Sequence, residues 1–437
     1  MKRRLPRIAK VLGGGLLLGS GLALWVWQLN RPAPLPPPPP AASPAVLQAR
    51  GAYLARVGNC AGCHTAPGGS PLAGGRAIPT PFGTVYSSNL TPDAETGLGR
   101  WTPDDFWRAV HEGRSRDGRL LSPAFPYTSY TRLSRADSDA LLSHLQTLAP
   151  VPSPQRPQAL RWPFGSQPAL AVWRALYFRP GVYEPDPRQD AAWNRGAYLV
   201  QGLAHCNACH GSRNALGGPQ AADRFDGGLL RGLGWYAPSL HRADEGGLQA
   251  WPQAEIEAWL RSGLAPQGIA QGPMAEVVLG STRHLDAEDL RAMARYLKTL
   301  PIVPIVPMEP AGPPSPPASP APAAQGLLGA QLYEKHCQSC HGEQGEGRPG
   351  VYPPLKGSRL VTQSSAINLL RLVQQGGFAP ATPAHPRPFG MPPFAGSFDA
   401  EQLAALLSHV RNSWGQQAGA LSARQIQALT NGTGTNP

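Results

Sequence analysis

Three short runs constrain this chain more than anything else in it: CAGCH at Cys60–His64, CNACH at Cys206–His210 and CQSCH at Cys337–His341. Together they use all six cysteines. Two thiols three residues apart share one helical turn, where they can add across the two vinyl groups of a haem. The imidazole next in sequence then lies under the iron as proximal ligand. Other uses of a C-x-x-C pair fit less well. A zinc site draws two such knuckles from one short segment, and these pairs lie far apart. A thioredoxin-like pair needs no histidine after it, and a disulfide closing so small a loop stabilises little. The pattern predicts three covalently bound haem c groups, held by Cys60 and Cys63, Cys206 and Cys209, and Cys337 and Cys340. His64, His210 and His341 are the axial ligands it implies.

The flanking sequence repeats too. RGAYL precedes the first and second sites (Arg50–Leu54 and Arg195–Leu199), and GAQLY (Gly329–Tyr333) precedes the third. Each copy places a glycine eight to ten residues before its first cysteine, where it either admits a crossing helix or starts one. Each copy ends in an amphipathic helix: DSDALLSHLQTL, DAEDLRAMARYLKTL and DAEQLAALLSHVRNSW. Asp137, Asp286 and Asp399 are the start signals. His144 aligns with Tyr296 and His409, a helix-packing position. Met293 falls on the apolar face of its helix and reads as core.

Two methionines differ. Met274 (GPMAEV) and Met391 (GMPPFA) sit in Gly/Pro loops 64 and 50 residues after their histidines. A loop thioether opposite the proximal histidine is the usual sixth ligand of an electron-transfer haem. The first copy has Phe125 (SPAFPY) at that place, and no methionine occurs between Met1 and Met274. For the first haem the remaining options are His111, which aligns with Arg261 and Gln374 at a helix end, a water, or an open site shielded by Phe125. Met308 lies in a proline tract and has no evident role.

The N-terminus carries Lys2, Arg3, Arg4, Arg7 and Lys10, then nineteen uncharged residues from Val11 to Leu29. At about 1.5 Å per residue that run just spans a bilayer core, with the basic flank on the cytoplasmic side. A retained anchor is the favoured reading. A cleaved signal peptide is the alternative, with Gly21–Ala23 as the processing site. The net charge of +12 owes five residues to this cluster. The rest is scattered without interleaved aromatics, which argues against nucleic acid. Fifty glycines, 51 prolines and only 15% charged residues suit small, loop-rich domains on stiff linkers.

The division that follows is an anchor (1–30), a proline-rich spacer holding the rest off the membrane (31–46), a first module (47–150) and a connector (151–191). A second module (192–300), a proline-rich linker (301–325), a third module (326–416) and a C-terminal tail (417–437) complete it.

With these motifs in hand, the chain resembles the membrane-anchored tri-haem cytochrome c subunits of periplasmic dehydrogenases from acetic acid bacteria and related proteobacteria. NLTPDAETGLGRWTPDDF (Asn89–Phe106), SPAFPYTSY, GWYAPSL (Gly234–Leu240), GPMAEVV, YPPLKG (Tyr352–Gly357), MPPFAG and VRNSWG (Val410–Gly415) carry the resemblance. It implies a mostly α fold of three tandem cytochrome c-like domains preceded by an N-terminal transmembrane helix. It also implies iron ligation by His64, His210, His341, Met274 and Met391. The chain would then sit on the inner membrane with its haem domains on the periplasmic side. It would pass electrons from a catalytic dehydrogenase subunit to ubiquinone. Phe125 in place of methionine resembles members paired with molybdopterin aldehyde dehydrogenases and an iron–sulfur subunit. A quinoprotein alcohol or flavoprotein sugar or gluconate dehydrogenase is the alternative partner. No Gly-rich phosphate loop, nucleophile elbow or metal-binding carboxylate cluster marks a substrate-oxidising site in the chain itself. Rival readings are a peroxidase-like or gas-sensing open haem in the first domain, and a free-standing electron shuttle.

Overall fold

The computed structural model describes residues 19–221, 223–302 and 323–432. The basic N-terminal cluster, the first part of the apolar run, Met308 and most of the proline-rich linker lie outside them. Residues 19–29 are helical, and no helix among the described residues is long and apolar enough to cross a membrane.

The chain is mostly helical, built on three crossed pairs. Helix α1 (Pro44–Val57) packs on α2 (Arg135–Leu145), α3 (Ala191–Tyr198) on α4 (Ala287–Lys298), and α5 (Ala323–His336) on α6 (Ala400–Asn412). The repeated glycine stands at each crossing. A Cβ on Gly51 would fall 1.9 Å from the Ala140 carbonyl oxygen. On Gly196 it would fall 2.0 Å from that of Ala292, and on Gly329 2.3 Å from that of Ala405. Backbone presses on backbone at all three places, so only glycine fits. The Cβ atoms of His144, Tyr296 and His409 face the same three glycines, which makes them equivalent packing residues. The second copy has one residue more than the first between glycine and cysteine, and a π-helical turn at Leu199–Leu203 absorbs it.

Side-chain caps set the helix starts. Asp286 and Asp399 cap α4 and α6, each accepting from the amide three residues on. Asp137 does not cap α2: Ser134 does, through a 3.2 Å bond from the Asp137 amide. Either a serine or an aspartate oxygen satisfies that amide, and here the serine three residues earlier reaches it. This leaves the Asp137 carboxylate free for a different partner.

The first two modules share one apolar core, in which Leu54, Leu133, Leu142, Leu199, Leu290 and Met293 are fully buried. The third has its own, around Val361, Leu370, Leu407 and Ile426. Ile426 comes from a helix at Ala423–Gly432, so the C-terminal tail closes the third core. The segment after the first module is also structured. Ala159–Leu160 adds an edge strand to the hairpin Ala77–Thr80/Gly83–Tyr86, and Gln167–Tyr177 is helical. Asn30 is tied to that helix, donating to the Ala171 carbonyl (2.9 Å) and accepting from Arg174 Nε (2.9 Å). In the proline stretch that follows, Ala33, Pro36 and Pro39 are half-buried between exposed neighbours. That period of three is the signature of a polyproline helix lying along a surface.

Candidate haem-attachment sites

Each C-x-x-C-H run lies on a helical turn entered from the first helix of its pair: Cys60–His64, Asn207–His210 and Gln338–His341. Asn59 and His205, just before the first two runs, take left-handed backbone conformations (φ 48° and 41°) that end the incoming helix. No disulfide joins any of the six cysteines. Burial pushes Cys60 and Cys206 up to about 12 and Cys337 up to about 11.

The imidazoles are held alike. His64 Nδ1 lies 2.7 Å from the Ser88 carbonyl oxygen, His210 Nδ1 2.8 Å from that of Pro238, and His341 Nδ1 3.0 Å from that of Pro353. A carbonyl accepts only, so each Nδ1 carries the proton and each Nε2 keeps its lone pair for a metal. Burial lowers the pKa of all three rings, although the carbonyl bond opposes it. A neutral ring with Nε2 unprotonated is what iron ligation requires.

Local folding brings the carbonyl to the ring. In the first two modules a small hairpin (Ala77–Thr80/Gly83–Tyr86 and Gly228–Leu230/Trp235–Ala237) returns the chain, and the acceptor follows its second arm. In the third, an Arg348–Tyr352 bridge does the same over fewer residues. A glycine then closes each loop, its amide bonding back to the histidine carbonyl: Gly74 to His64 (2.7 Å), Gly227 to His210 (2.7 Å) and Gly347 to His341 (2.8 Å). All three have positive φ, and a Cβ there would strike the acceptor segment. Sequence reasoning missed Ser88, Pro238 and Pro353. A signal exists, since each acceptor is followed two positions later by a leucine (Leu90, Leu240, Leu355).

Of the residues expected at the sixth-ligand places, Met391 is fixed by a two-way bridge to Gly377 (2.8 and 3.1 Å) and packs, as Cys337 does, against the third core. Met274 opens the helix Pro273–Gly280 and is half-buried. Phe125 ends a turn closed on the Ser122 carbonyl (3.0 Å), with its ring 5.3 Å from that of Tyr130. His111 stacks on Trp107 (4.2 Å, 11°), with Nδ1 3.4 Å from Thr131 Oγ1. Burial lowers its pKa to about 4, so it is neutral at physiological pH.

The first two sites abut. His205 Nε2 lies 3.3 Å from the Gly58 carbonyl oxygen, and Ser281 Oγ donates to the Val57 carbonyl (2.7 Å). Burial raises the Cys209 thiol, and the Cys63 thiol is close enough to raise it further. The third module docks on the second differently. Asn368 accepts from the Tyr236 amide (2.8 Å) and donates to its carbonyl (2.7 Å), and Arg371 lies over the Trp235 ring. Among the described residues no cluster of three or more His, Cys, Asp or Glu is placed to hold a metal ion.

Thiol pairs on a turn, each followed by an imidazole locked through Nδ1, define a c-type cytochrome module. Comparison with known proteins agrees. The cytochrome c family model matches residues 194–301 and 327–414, the second and third modules. The cytochrome c subunit of the quinone alcohol dehydrogenase from Gluconacetobacter polyoxogenes is 36% identical over 401 residues, 89% of this chain and 85% of that one. The gluconate 2-dehydrogenase cytochrome c subunit of Pantoea cypripedii is 34% identical over 391 residues, covering 87% and 88%. A nicotinate dehydrogenase subunit from Pseudomonas putida is 37% identical over 409 residues. That alignment takes in 93% of this chain, which spans only 33% of the longer relative. The chain belongs to the cytochrome c family, among the cytochrome c subunits of dehydrogenase complexes, and its role is electron transfer.

Proposed function

We propose that the chain carries three haems c and is the electron-transfer subunit of a membrane-bound periplasmic dehydrogenase, delivering electrons to ubiquinone. The observation that carries this reading is the threefold recurrence of one site: a thiol pair with its imidazole pinned to a backbone carbonyl. Haem c, when bound, supplies one-electron exchange at its iron. The chain's own groups would do the rest. The six thiols anchor the macrocycles, and the carbonyls of Ser88, Pro238 and Pro353 orient His64, His210 and His341 and raise their basicity. Met274 and Met391 complete the second and third sites. Phe125 offers only a ring, so the first site is five-coordinate or takes a non-methionine ligand such as His111.

For the partner we infer a molybdopterin aldehyde dehydrogenase with an iron–sulfur subunit, supported by Phe125 at the methionine place. The near end-to-end match to the quinone alcohol dehydrogenase subunit favours a second reading, a quinoprotein partner. Isolation from native membranes tests both. Three haems per chain with molybdenum and non-haem iron is the expected result; bound quinone cofactor or flavin without molybdenum selects the alternative. Two haems per chain would overturn the tri-haem reading. Phe125→Met is expected to add the spectroscopic signature of a third methionine-ligated haem. Three such signatures in the unmodified protein would refute the assignment of the first site.

A further inference from the structure

The repeated RGAYL motif has a use that haem attachment does not explain. Arg50 binds Asp137 within the first module (2.5 Å), and Arg195 binds Asp289 within the second (2.7 Å). The tyrosines do not stay at home. Tyr53 donates to Asp289 Oδ2 of the second module (2.6 Å), and Tyr198 donates to Asp137 Oδ2 of the first (2.5 Å). Each phenol oxygen also accepts a backbone amide at the head of the other module's closing helix, that of Asp286 (3.4 Å) and of Ser134 (3.2 Å) respectively. The pattern is reciprocal, as a pseudo-twofold axis between the modules would make it. Every member is matched: Arg50 with Arg195, Tyr53 with Tyr198, Asp137 with Asp289. In the third module the corresponding positions are Leu328, Gln331 and Gln402, and none of the set survives.

We propose that Tyr53, Tyr198, Asp137 and Asp289 are positioning residues, a double clasp that fixes the first haem-attachment site against the second. The two sites then act as one redox-coupled pair. The inference rests on the functional reading above. Tyr53 is on α1, whose end leads directly to Cys60. One turn further on, the Val57 and Gly58 carbonyls touch Ser281 and His205, and His205 immediately precedes Cys206. A shift at the clasp is therefore carried along a rigid helix to both thiol pairs. The two aspartates are themselves immobilised, since each is gripped by the arginine of its own module. Asp137 and Asp289 are buried, so the carboxylates at the centre of the clasp are shielded from water.

The test uses the full-length chain with its haems. Haem content is counted first, and the wild type is compared with the double variant Tyr53→Phe/Tyr198→Phe, which keeps both rings and removes both phenol donors. Circular dichroism in the Soret band reports coupling between neighbouring haems, and a spectroelectrochemical titration reports the splitting between successive reduction steps. The expected result is a bisignate Soret couplet in the wild type that collapses in the double variant, with a smaller splitting and the third haem's step unmoved. Asp289→Asn, which keeps an acceptor oxygen for Tyr53, should retain most of the couplet. A lower unfolding temperature with couplet and splitting unchanged would reduce the clasp to a structural bond and overturn the proposal. So would a wild type without a couplet. A haem missing from the first or second site would instead overturn the functional reading, and the clasp with it.

Discussion

The first two modules and the third solve the same folding problem, yet they are joined in opposite ways. Modules one and two merge into a single apolar core and cross-bond through buried carboxylates. The third keeps its own core, completed by its own C-terminal helix, and meets the second through scattered polar contacts of Asn368, Arg371, Arg359, Ser364 and Arg283, none of them a buried carboxylate–phenol bond. The thiol pair and the histidine–carbonyl bond recur in all three, so the difference in joining lies in what the helix pair presents outward. Arg, Tyr and Asp at three positions make a partner surface, and Leu, Gln and Gln at the same positions do not. Site and assembly are encoded by different residues of one repeat.

The sharpest way to break this contrast is to spoil one helix crossing. Gly196→Ala places a methyl against the Ala292 carbonyl, which is backbone and cannot step aside. A cost of about 3 kcal/mol or more is expected. Because the core is shared, the first and second modules should lose stability together in a thermal scan. Gly329→Ala should weaken the third alone. Independent melting of modules one and two would refute the shared core.

The clasp itself comes next in size. Hydrogen bonds to a charged acceptor are worth about 1.5 kcal/mol each at the low end, which suits these partly exposed phenols. The double Tyr53→Phe/Tyr198→Phe variant should then lose about 3 kcal/mol. The loss should depend on pH. Burial works against the Asp289 carboxylate, but the bonds from Arg195 and Tyr53 outweigh it and hold its pKa below the ordinary value. A depressed carboxylate stabilises the fold above its unfolded pKa of about 4, and that contribution is lost as pH falls through the folded value. Urea unfolding should thus show a constant gap between wild type and variant from neutral pH down to about 5, narrowing below about 4.

How far the sequence reached differs between these layers. The three thiol pairs and the equivalence of His144, Tyr296 and His409 could be read directly, because each depends on residue type at fixed spacing. The repeated glycines were legible as a pattern, but only the structure decides that they admit a crossing helix rather than start one. Ser88, Pro238 and Pro353 could not be read, because a backbone carbonyl accepts whatever side chain it bears. Asp137 was legible as a helix-start residue and nothing more. Its partner Tyr198 comes from another copy of the repeat, and no local pattern pairs the two. The polyproline stretch was legible as a stiff rod, but the side chains it lies on come from elsewhere in the chain.

Between modules two and three the expected effects are smaller. Asn368 bonds both backbone groups of Tyr236 as a neighbouring strand would. Asn368→Ala should cost about 1–2 kcal/mol of docking without melting either module. Small-angle scattering should register it as expansion of the particle at unchanged haem spectra. A cooperative loss of the third module would show instead that its core depends on the second.

The smallest effect belongs to Arg76 and Glu276, 3.3 Å apart across the first and second modules with side chains 36% and 68% exposed. The pair sits beside the first site, since both groups act on the Cys63 thiol, whose pKa is raised chiefly by burial. It links the same two modules as the clasp, so its strength decides what kind of interface this is. An exposed pair in water gains little and is screened by salt, so Arg76→Ala should cost less than about 1 kcal/mol, vanishing at about 1 M salt. The clasp differs in both respects: its carboxylates are buried, and its energy should survive that salt. If Arg76→Ala proved the costlier change, or if salt abolished the tyrosine effect, surface charge would be what joins the first two modules. The contrast with the third would then be one of degree.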